Sequence, residues 1–594
     1  MKERKDIEEK YTWNLEKIYS NIEEFNKDYD LVKNKIKELF EYEKIMTDNS
    51  NNFYNTIKLS FEIERIIDKL SVYTSLSFDL DTSNNEKQEF CEKVSNLRSE
   101  YSKNSYFIVP SILKLDKETI DKYMEEAHEL KDYEVSINEI YRYKEHTLSD
   151  NEEKLLSSIC KIVGNCYDTY ELFKDCDMSF DSIKDENGIE VELNNSTYSL
   201  YIENKDRKVR ESAFKNLYKE YKKYANTFAS LISTNMKELS TLAKIEKYNS
   251  AIEMSLFRDD VQIDVYNNLI DSVHSHIEYI YDYYKLKKEI LGLDELHLYD
   301  IYVPIVSEYD KKFDYEEGKS IILKVLEVFG EEYINKVKEA LDSRWIDVYP
   351  TKAKRTGGYS GGSYDTYPYI LLNYQDKYND MSTLIHEMGH SMHSYYSKTY
   401  NDYQNSEYRI FVAEVASTVN ELLLSHYMIE HSNNKEEKLF ILNNLMELYR
   451  ATIYRQTMFA EFEKEISNLI DNEGVLTKDK LSNMYYDLNK FYFGESVVVD
   501  DEIRYEWERI PHFYYDFYVY KYATGLSAAT YIVKNILSGK KEAVDSYIEF
   551  LKCGGRLSPL ESLKVAGVDL TDRKIVDSAL EEFKSIIEKY RENM

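Results

Sequence analysis

Two histidines four residues apart with a glutamate between them carry the strongest chemical signal in this chain: His386-Glu387-Met388-Gly389-His390. On a helix, residues i and i+4 lie about 40° apart on one face. Two imidazoles so placed can meet one Zn²⁺ at roughly 2.0–2.1 Å. Glu387 sits about 100° round the helix, able to reach a water at the metal without ligating it. Five residues alone match by chance often enough that the pattern needs a confirming context. Asn379 or Asp380 is placed to cap the helix upstream. Met381, Leu384, Ile385, Met388 and Met392 gather on the face opposite the histidines, so the helix is packed on its back and polar on its front. Gly389 costs about 1 kcal/mol of helix propensity. It marks either a close approach of another backbone or of substrate, or merely a small neutral residue.

A third ligand comes from residues 410–428, which are apolar on nearly every side of a helical wheel and are expected to be buried. Glu414 and Glu421 are the only acids there. A buried carboxylate must be paired, protonated or bound to a metal. Glu414 follows His390 by 24 residues, enough for a turn and an antiparallel return. Two His and one Glu leave a position open for water, the arrangement of a catalytic metal site; the competing reading is a buried salt bridge. Glu421, seven residues on, either accepts a hydrogen bond from a ligand imidazole or pairs with an arginine. His393 shares the ligand face but lies out of reach of the metal. His274, His276, His426 and His431 have no partner pattern.

These parts imply metal-assisted hydrolysis, with Glu387 taking the water proton and returning it to the leaving amine. An oxyanion then needs donors besides the metal. Residues 511–522, Pro-His-Phe-Tyr-Tyr-Asp-Phe-Tyr-Val-Tyr-Lys-Tyr, are dense in hydroxyls and hold an isolated His. In a chain with 57 tyrosines, composition alone supplies much of that density.

The elements that must position these residues are mostly helical. With 594 residues, 17 Gly and 6 Pro, the chain calls for several subdomains of long helices with short connections. Residues 6–180 show helical spacing, as in Leu59, Ile63, Ile66 and Leu70, with breaks near 48–52, 81–85 and Val109-Pro110-Ser111. A small hairpin turns at Asp185-Glu186-Asn187-Gly188. The domain junction is placed there, separating an N-terminal helical domain (1–195) from a catalytic domain (196–594). Long helices are expected over 207–292 and 318–343. Short strands are expected at 296–306, 345–349 and 367–372, with a Gly-rich loop at 357–362. From Met381 onward the chain reads as helix again.

Composition narrows the function. The net charge of −32 argues against nucleic-acid or anionic-membrane binding. The abundance of Tyr, Lys, Asn and Ile reads as codon bias. Five cysteines, irregularly spaced and without a C-x-x-C pair, suit reduced thiols in a cytoplasm. No apolar h-region follows Met1–Asp6, so no secretory leader is expected. No stretch is long and apolar enough for a membrane span.

The run 386–393, His-Glu-Met-Gly-His-Ser-Met-His, followed by Phe411-Val412-Ala413-Glu414-Val415-Ala416-Ser417-Thr418, resembles the thimet-type oligopeptidases. Gly-Gly-Tyr at 357–359, Tyr-Pro-Tyr-Ile-Leu-Leu-Asn-Tyr at 367–374 and Ile-Pro-His-Phe-Tyr-Tyr at 510–515 point to their oligoendopeptidase F branch. The resemblance implies a mainly α, ellipsoidal fold of many helices, with a deep substrate channel, a small β element beside the active-site helix, and the 1–195 domain as one channel wall. It implies a metalloendopeptidase of cytoplasmic peptide turnover that cuts short peptides and acts as a monomer or small homo-oligomer. It implies one Zn²⁺ per chain on His386, His390 and Glu414, with Glu387 as base. Oxyanion donors carry over to His512, Tyr515 and Tyr522, although the glycine-rich loop of the thimet branch is absent from 512–522. Gly357, Gly358 and Tyr359 suggest an edge for binding substrate as an added strand, and Tyr518 is a further contact. The competing functions are a zinc hydrolase acting on another substrate or an exopeptidase, for which no charged clamp is evident, and a helical scaffold with a vestigial metal motif.

Overall fold

The computed structural model describes residues 3–160, 163–306 and 311–594; Met1 and Lys2, the first residues of the segment read for a leader, lie outside them. Helices account for 72% of the chain, as the scarcity of Gly and Pro requires. The chain forms two compact units, each from separate stretches of sequence. Unit one comprises Met1–Thr147, Asp310–Tyr427 and Ile532–Val568; unit two comprises Leu148–Tyr309, Met428–Tyr531 and Asp569–Met594. The boundary expected at 195/196 falls within unit two.

In unit one, the helices Ile22–Glu41, Ser50–Asp79 and Asn85–Ser105 each begin after an Asn. The side chains of Asn21, Asn49 and Asn84 accept the backbone N–H of Glu24, Asn52 and Lys87, satisfying donors that a helix start leaves free. Leu59, Ile63 and Leu70 are buried as the spacing predicts, with Ile67 deeper than Ile66. This core continues onto the sheet, through Tyr369 and Leu371.

Five short strands are present among the described residues: β1 (Ile183–Lys184), β2 (Glu190–Val191), β3 (Ile346–Asp347), β4 (Tyr359–Gly361) and β5 (Tyr369–Leu371). In unit one the order is β3-β5-β4, with β5 parallel to β3 and antiparallel to β4. The β4 strand is therefore an edge. It packs on the helix Tyr378–Tyr400, which carries both motif histidines.

Unit two is built on the 39-residue helix Arg207–Ile245, with Lys435–Tyr449, Arg455–Asp471 and Lys574–Asn593 among its other long helices. The predicted hairpin is there as β1 and β2, its turn closed by Asp185 Oδ1, which accepts the N–H groups of Asn187 and Ile189.

Two local expectations need correction. Residues 296–306 are not a strand: a 3₁₀ turn, Leu298–Asp300, forms there, because Asp300 is buried against Arg207 and Arg210. The break expected near Val109-Pro110-Ser111 falls at Tyr106 and Phe107, between the helices Asn85–Ser105 and Ile108–Lys114; Pro110 sits in the first turn of the second, where its missing N–H costs nothing. The segment 318–343 is two helices, Tyr315–Leu326 and Glu331–Asp342, parted by Gly330 at φ +88°. No helix among the described residues is long and apolar enough to cross a membrane.

Candidate metal centre

The helix Tyr378–Tyr400 begins ahead of both expected caps, with Lys377 at the cap position. Asp380 lies inside the first turn and reaches back, accepting the N–H of Gln375 and of Lys377, both at 2.9 Å. The expected back face is fully buried: Met381, Leu384, Ile385, Met388 and Met392 are at 0% exposure. This fixes the rotation of the helix and turns His386 and His390 to the front.

Gly389 is required by a backbone. A Cβ there would meet Ala416 O and Ser417 Cα, both at 2.6 Å, on the helix Ile410–His431. The two helices touch main chain to main chain, and that contact sets Glu414 opposite the histidines. His386 Nε2 and His390 Nε2 lie 3.2 Å apart, and Glu414 Oε2 is 3.5 Å from the first and 3.4 Å from the second. One nitrogen from each ring and one carboxylate oxygen thus converge on a single point, and the three could hold one metal ion.

The expectation that Glu414 is buried fails, since its side chain is 57% exposed. Over residues 411–425 the helix is buried except at Ala413, Glu414, Thr418 and Glu421, the last three of which share a face. Glu421 resolves the choice left open by the sequence. Its Oε2 lies 3.1 Å from His386 Nδ1, and its Oε1 accepts Ser382 Oγ at 3.3 Å. Burial works against a charged His386, but Glu421 and the nearby Glu387 and Glu414 carboxylates outweigh it and raise the imidazole pKa. The His390 hydrogen bond, opposed by partial burial, holds Glu414 down at about 2.

Glu387 is only 6% exposed. Burial raises its carboxyl pKa, with Glu414 adding to the rise while the two imidazoles and the Ser360 backbone N–H hold it back. Ser360 is the middle residue of the β4 edge, and its Oγ bonds Ser391 Oγ at 2.8 Å. The edge strand is therefore pinned along the helix that carries the candidate base. Gly358 lets the strand come this close: a Cβ there would meet Thr383 Cγ2 at 2.8 Å. Tyr359 turns its side chain into the packing, where its hydroxyl donates to Asp79 Oδ2 at 2.5 Å. His393 is packed face to face on Tyr408 at 3.7 Å and is 1% exposed. Burial lowers its pKa to about 3, and it is not part of the cluster.

The sequence matches peptidase family M3 over residues 200–582 and the oligopeptidase F N-terminal pattern over 111–180. The chain belongs to peptidase family M3. Oligopeptidase PepF of Bacillus subtilis is 40% identical over 590 residues, covering 99% of this chain and 88% of the relative. The oligoendopeptidase F homolog of Borreliella burgdorferi is 38% identical, covering 99% of both. Among solved structures, oligoendopeptidase-F of Enterococcus faecium superposes with a TM-score of 0.74 at 32% identity, covering 96% of this chain and 99% of that one. A Chlamydophila abortus peptidase reaches 0.94 at 32% identity, covering 100% of both. This M3 peptidase is accordingly a metalloendopeptidase acting on peptides. The metal cofactor the family implies fits the three donors found here.

The remaining expected residues of this M3 peptidase lie in unit two. A 3₁₀ turn, Pro511–Tyr514, leads to a bend and then to the helix Tyr520–Leu537. His512 Nε2 and the Tyr522 hydroxyl are 3.5 Å apart, and burial lowers the His512 pKa. The Tyr515 hydroxyl bonds that of Tyr167 at 2.8 Å. Tyr518 packs edge-on against Tyr522 at 5.3 Å. The bend lacks Gly, yet Asp516 and Phe517 adopt φ +52° and +61°, a strained pair for residues with side chains.

Sequence reasoning missed what holds that bend. Glu463 on the helix Arg455–Asp471 is fully buried, and its Oε1 accepts the Phe517 N–H at 2.8 Å. Burial pushes this carboxyl up to about 8. A signal was present: Phe459, Phe462, Glu463, Ile466 and Ile470 form one apolar stripe with a single acid in it.

Proposed function

We propose that this M3 peptidase is a zinc-dependent endopeptidase cutting internal bonds of short, unfolded oligopeptides. Its metal ligands are His386, His390 and Glu414, and its general base is Glu387. The observation that carries this reading is the convergence of three donor atoms within 3.5 Å of one another, beside the buried carboxyl of Glu387. Bound zinc supplies an acidified water and a polarised carbonyl.

The chain's own residues do the rest. Glu421 at His386 Nδ1 fixes the tautomer, leaving the Nε2 lone pair for the metal. Glu387 takes the proton of the attacking water and delivers it to the leaving amine. Its raised pKa brings the carboxyl closer to the range in which it can both accept and return a proton near neutral pH. A peptide adds to the β4 edge through main-chain hydrogen bonds at Gly357, Gly358 and Tyr359, which accounts for tolerance of many side chains. His512, Tyr515 and Tyr522 donate to the oxyanion, and Tyr518 contacts substrate. The lowered pKa of His512 keeps its imidazole neutral at pH 7, with one N–H to donate. The enzyme works in the cytoplasm in peptide turnover, as a monomer or small homo-oligomer with one zinc per chain. Its five free thiols suit that compartment.

An internally quenched peptide blocked at both ends tests the reading. The wild type cleaves it, a chelator stops cleavage and added zinc restores it. Glu387→Gln keeps its zinc by metal analysis while kcat/KM falls about 10²–10⁴-fold. Undiminished cleavage by Glu387→Gln would overturn the mechanism, and cleavage confined to peptides with a free terminus would make the enzyme an exopeptidase.

A further inference from the structure

The helices Lys435–Tyr449 and Arg455–Asp471 of unit two are joined by a π turn, Arg450–Tyr454, in which the Arg455 N–H bonds Arg450 O. Residues five apart on an α-helix point about 140° away from each other. An i→i+5 turn instead sets them one above the other. Both arginines consequently sit over the same ring, with their guanidinium carbons 5.1 Å and 5.8 Å from the centroid of Tyr302. Gathering two like charges inside a protein is costly, and a π turn that does so calls for a reason.

The nearby charges do not balance. Arg450 Nε bonds Glu447 Oε2 at 2.7 Å, and Lys287 Nζ bonds the other oxygen of Glu447 at 3.1 Å. Arg455 Nη2 bonds Glu506 Oε1 at 2.8 Å. Arg509 lies over Tyr198, with Glu506 its nearby carboxylate. Four cations thus share two carboxylates. Asp300 is already paired with Arg207 and Arg210, burial favours the neutral acid at Glu508, and the exposed Glu203 adds one carboxylate on the Lys287 side. Burial lowers the pKa of Lys287 while Glu447 raises it; with Glu203 counted, four cations still face three carboxylates. Each of Arg450 and Arg455 spends one side of its guanidinium on a glutamate. The two guanidiniums, with Tyr284, Tyr454, Met458 and Phe493, line a cavity of about 10 Å³, close to the least that admits one water-sized particle.

We propose that this cavity is a site for one compact monovalent anion, a halide or a small carboxylate such as formate, held between Arg450 and Arg455. Its size excludes phosphate esters and nucleotides. The site is independent of the peptidase reading, because its residues all belong to unit two whereas the metal cluster belongs to unit one.

The test uses the full-length, zinc-loaded chain. Thermal unfolding is followed at constant ionic strength while sodium gluconate is replaced stepwise by sodium chloride or by sodium formate. The expected result is a saturable rise of roughly 2–5 °C in the chloride series at least, and comparison with the formate series says which anion the site prefers. Arg455→Gln, with its fold checked by circular dichroism, loses the rise. Crystals of the wild type grown in sodium bromide show an anomalous peak touching both guanidiniums, a readout that needs no variant. An absent bromide peak, or a chloride and formate response no larger than that of gluconate, overturns the proposal, as does an equal response in folded Arg455→Gln.

Discussion

Replacing Glu463 by Gln isolates the energetic consequence of one buried carboxyl. The folded protein holds this group at about 8, against an ordinary value of 4.5. Burial is the main cause, with the Asp516 carboxylate adding to it and the Phe517 N–H opposing it. Asp516 in turn faces Arg258 and Lys521. The sign follows from proton binding. Between pH 4.5 and about 8 the unfolded chain releases a proton that the folded chain keeps, so wild-type stability falls as pH rises through that window and then levels. Gln has no proton to lose and still offers an oxygen to the Phe517 N–H. The advantage of Glu463→Gln over wild type is therefore smallest near pH 4.5 and largest near pH 8. At about 1.4 kcal/mol per pH unit, the full difference approaches about 4–5 kcal/mol. Thermal unfolding of both proteins at pH 5, 6.5 and 8 measures it, and taking the difference between them cancels the titration of the metal ligands. A gap in Tm that stays constant from pH 5 to 8 would refute the argument. Glu463→Ala is expected to follow the same pH trend against wild type but to lie about 1–3 kcal/mol below Glu463→Gln at every pH, because the Phe517 N–H is left buried without an acceptor.

Other substitutions test the metal centre and its supports. Glu421→Ala is expected to weaken zinc binding about 10–100-fold, measured by competition with a chromogenic chelator; unchanged affinity would show that the Nδ1 contact does not matter. Gly389→Ala forces a Cβ to within 2.6 Å of Ala416 O and is expected to cost about 1–3 kcal/mol, with zinc affinity falling alongside Tm as Glu414 is displaced. Tyr359→Phe removes the hydroxyl bond to Asp79 and is expected to lower stability by about 1 kcal/mol while KM for a blocked peptide stays the same. A raised KM would mean that the side chain, and not only the backbone of β4, meets substrate.

The legible parts of this protein are those whose geometry is local. The spacing of His386 and His390 determines their shared face as soon as a helix forms, and the apolar run from Met381 to Met392 says which face is hidden. Glu414 was legible for the opposite reason, as a charged residue in a helix with almost no others. Elements fixed by distant partners were misread. The segment 296–306 has the apolar content of a strand, but Asp300 is drawn inward by Arg207 and Arg210 across about 90 positions of sequence. Glu463 went unremarked because Glu461 and Glu465 flank it, and only the period of the stripe separates the buried acid from its neighbours.

The exposure of Glu414 reverses the argument that first singled it out and leaves the site chemically more coherent. A carboxylate sealed inside a helix bundle would serve a structural metal, closed to substrate. Here exposure falls from 57% at the Glu414 side chain to 24% at that of His386 and 17% at that of His390, and Glu387 lies lowest at 6%. The proposed metal would need its open position on the solvent-accessible side, and Glu414 is the most exposed of the three candidate ligands. The proposed base has the contrary need, since burial is the chief cause of its raised pKa. The seam along one helix and the buried shoulder of the other meet both needs at once, and the main-chain contact at Gly389 brings the two together.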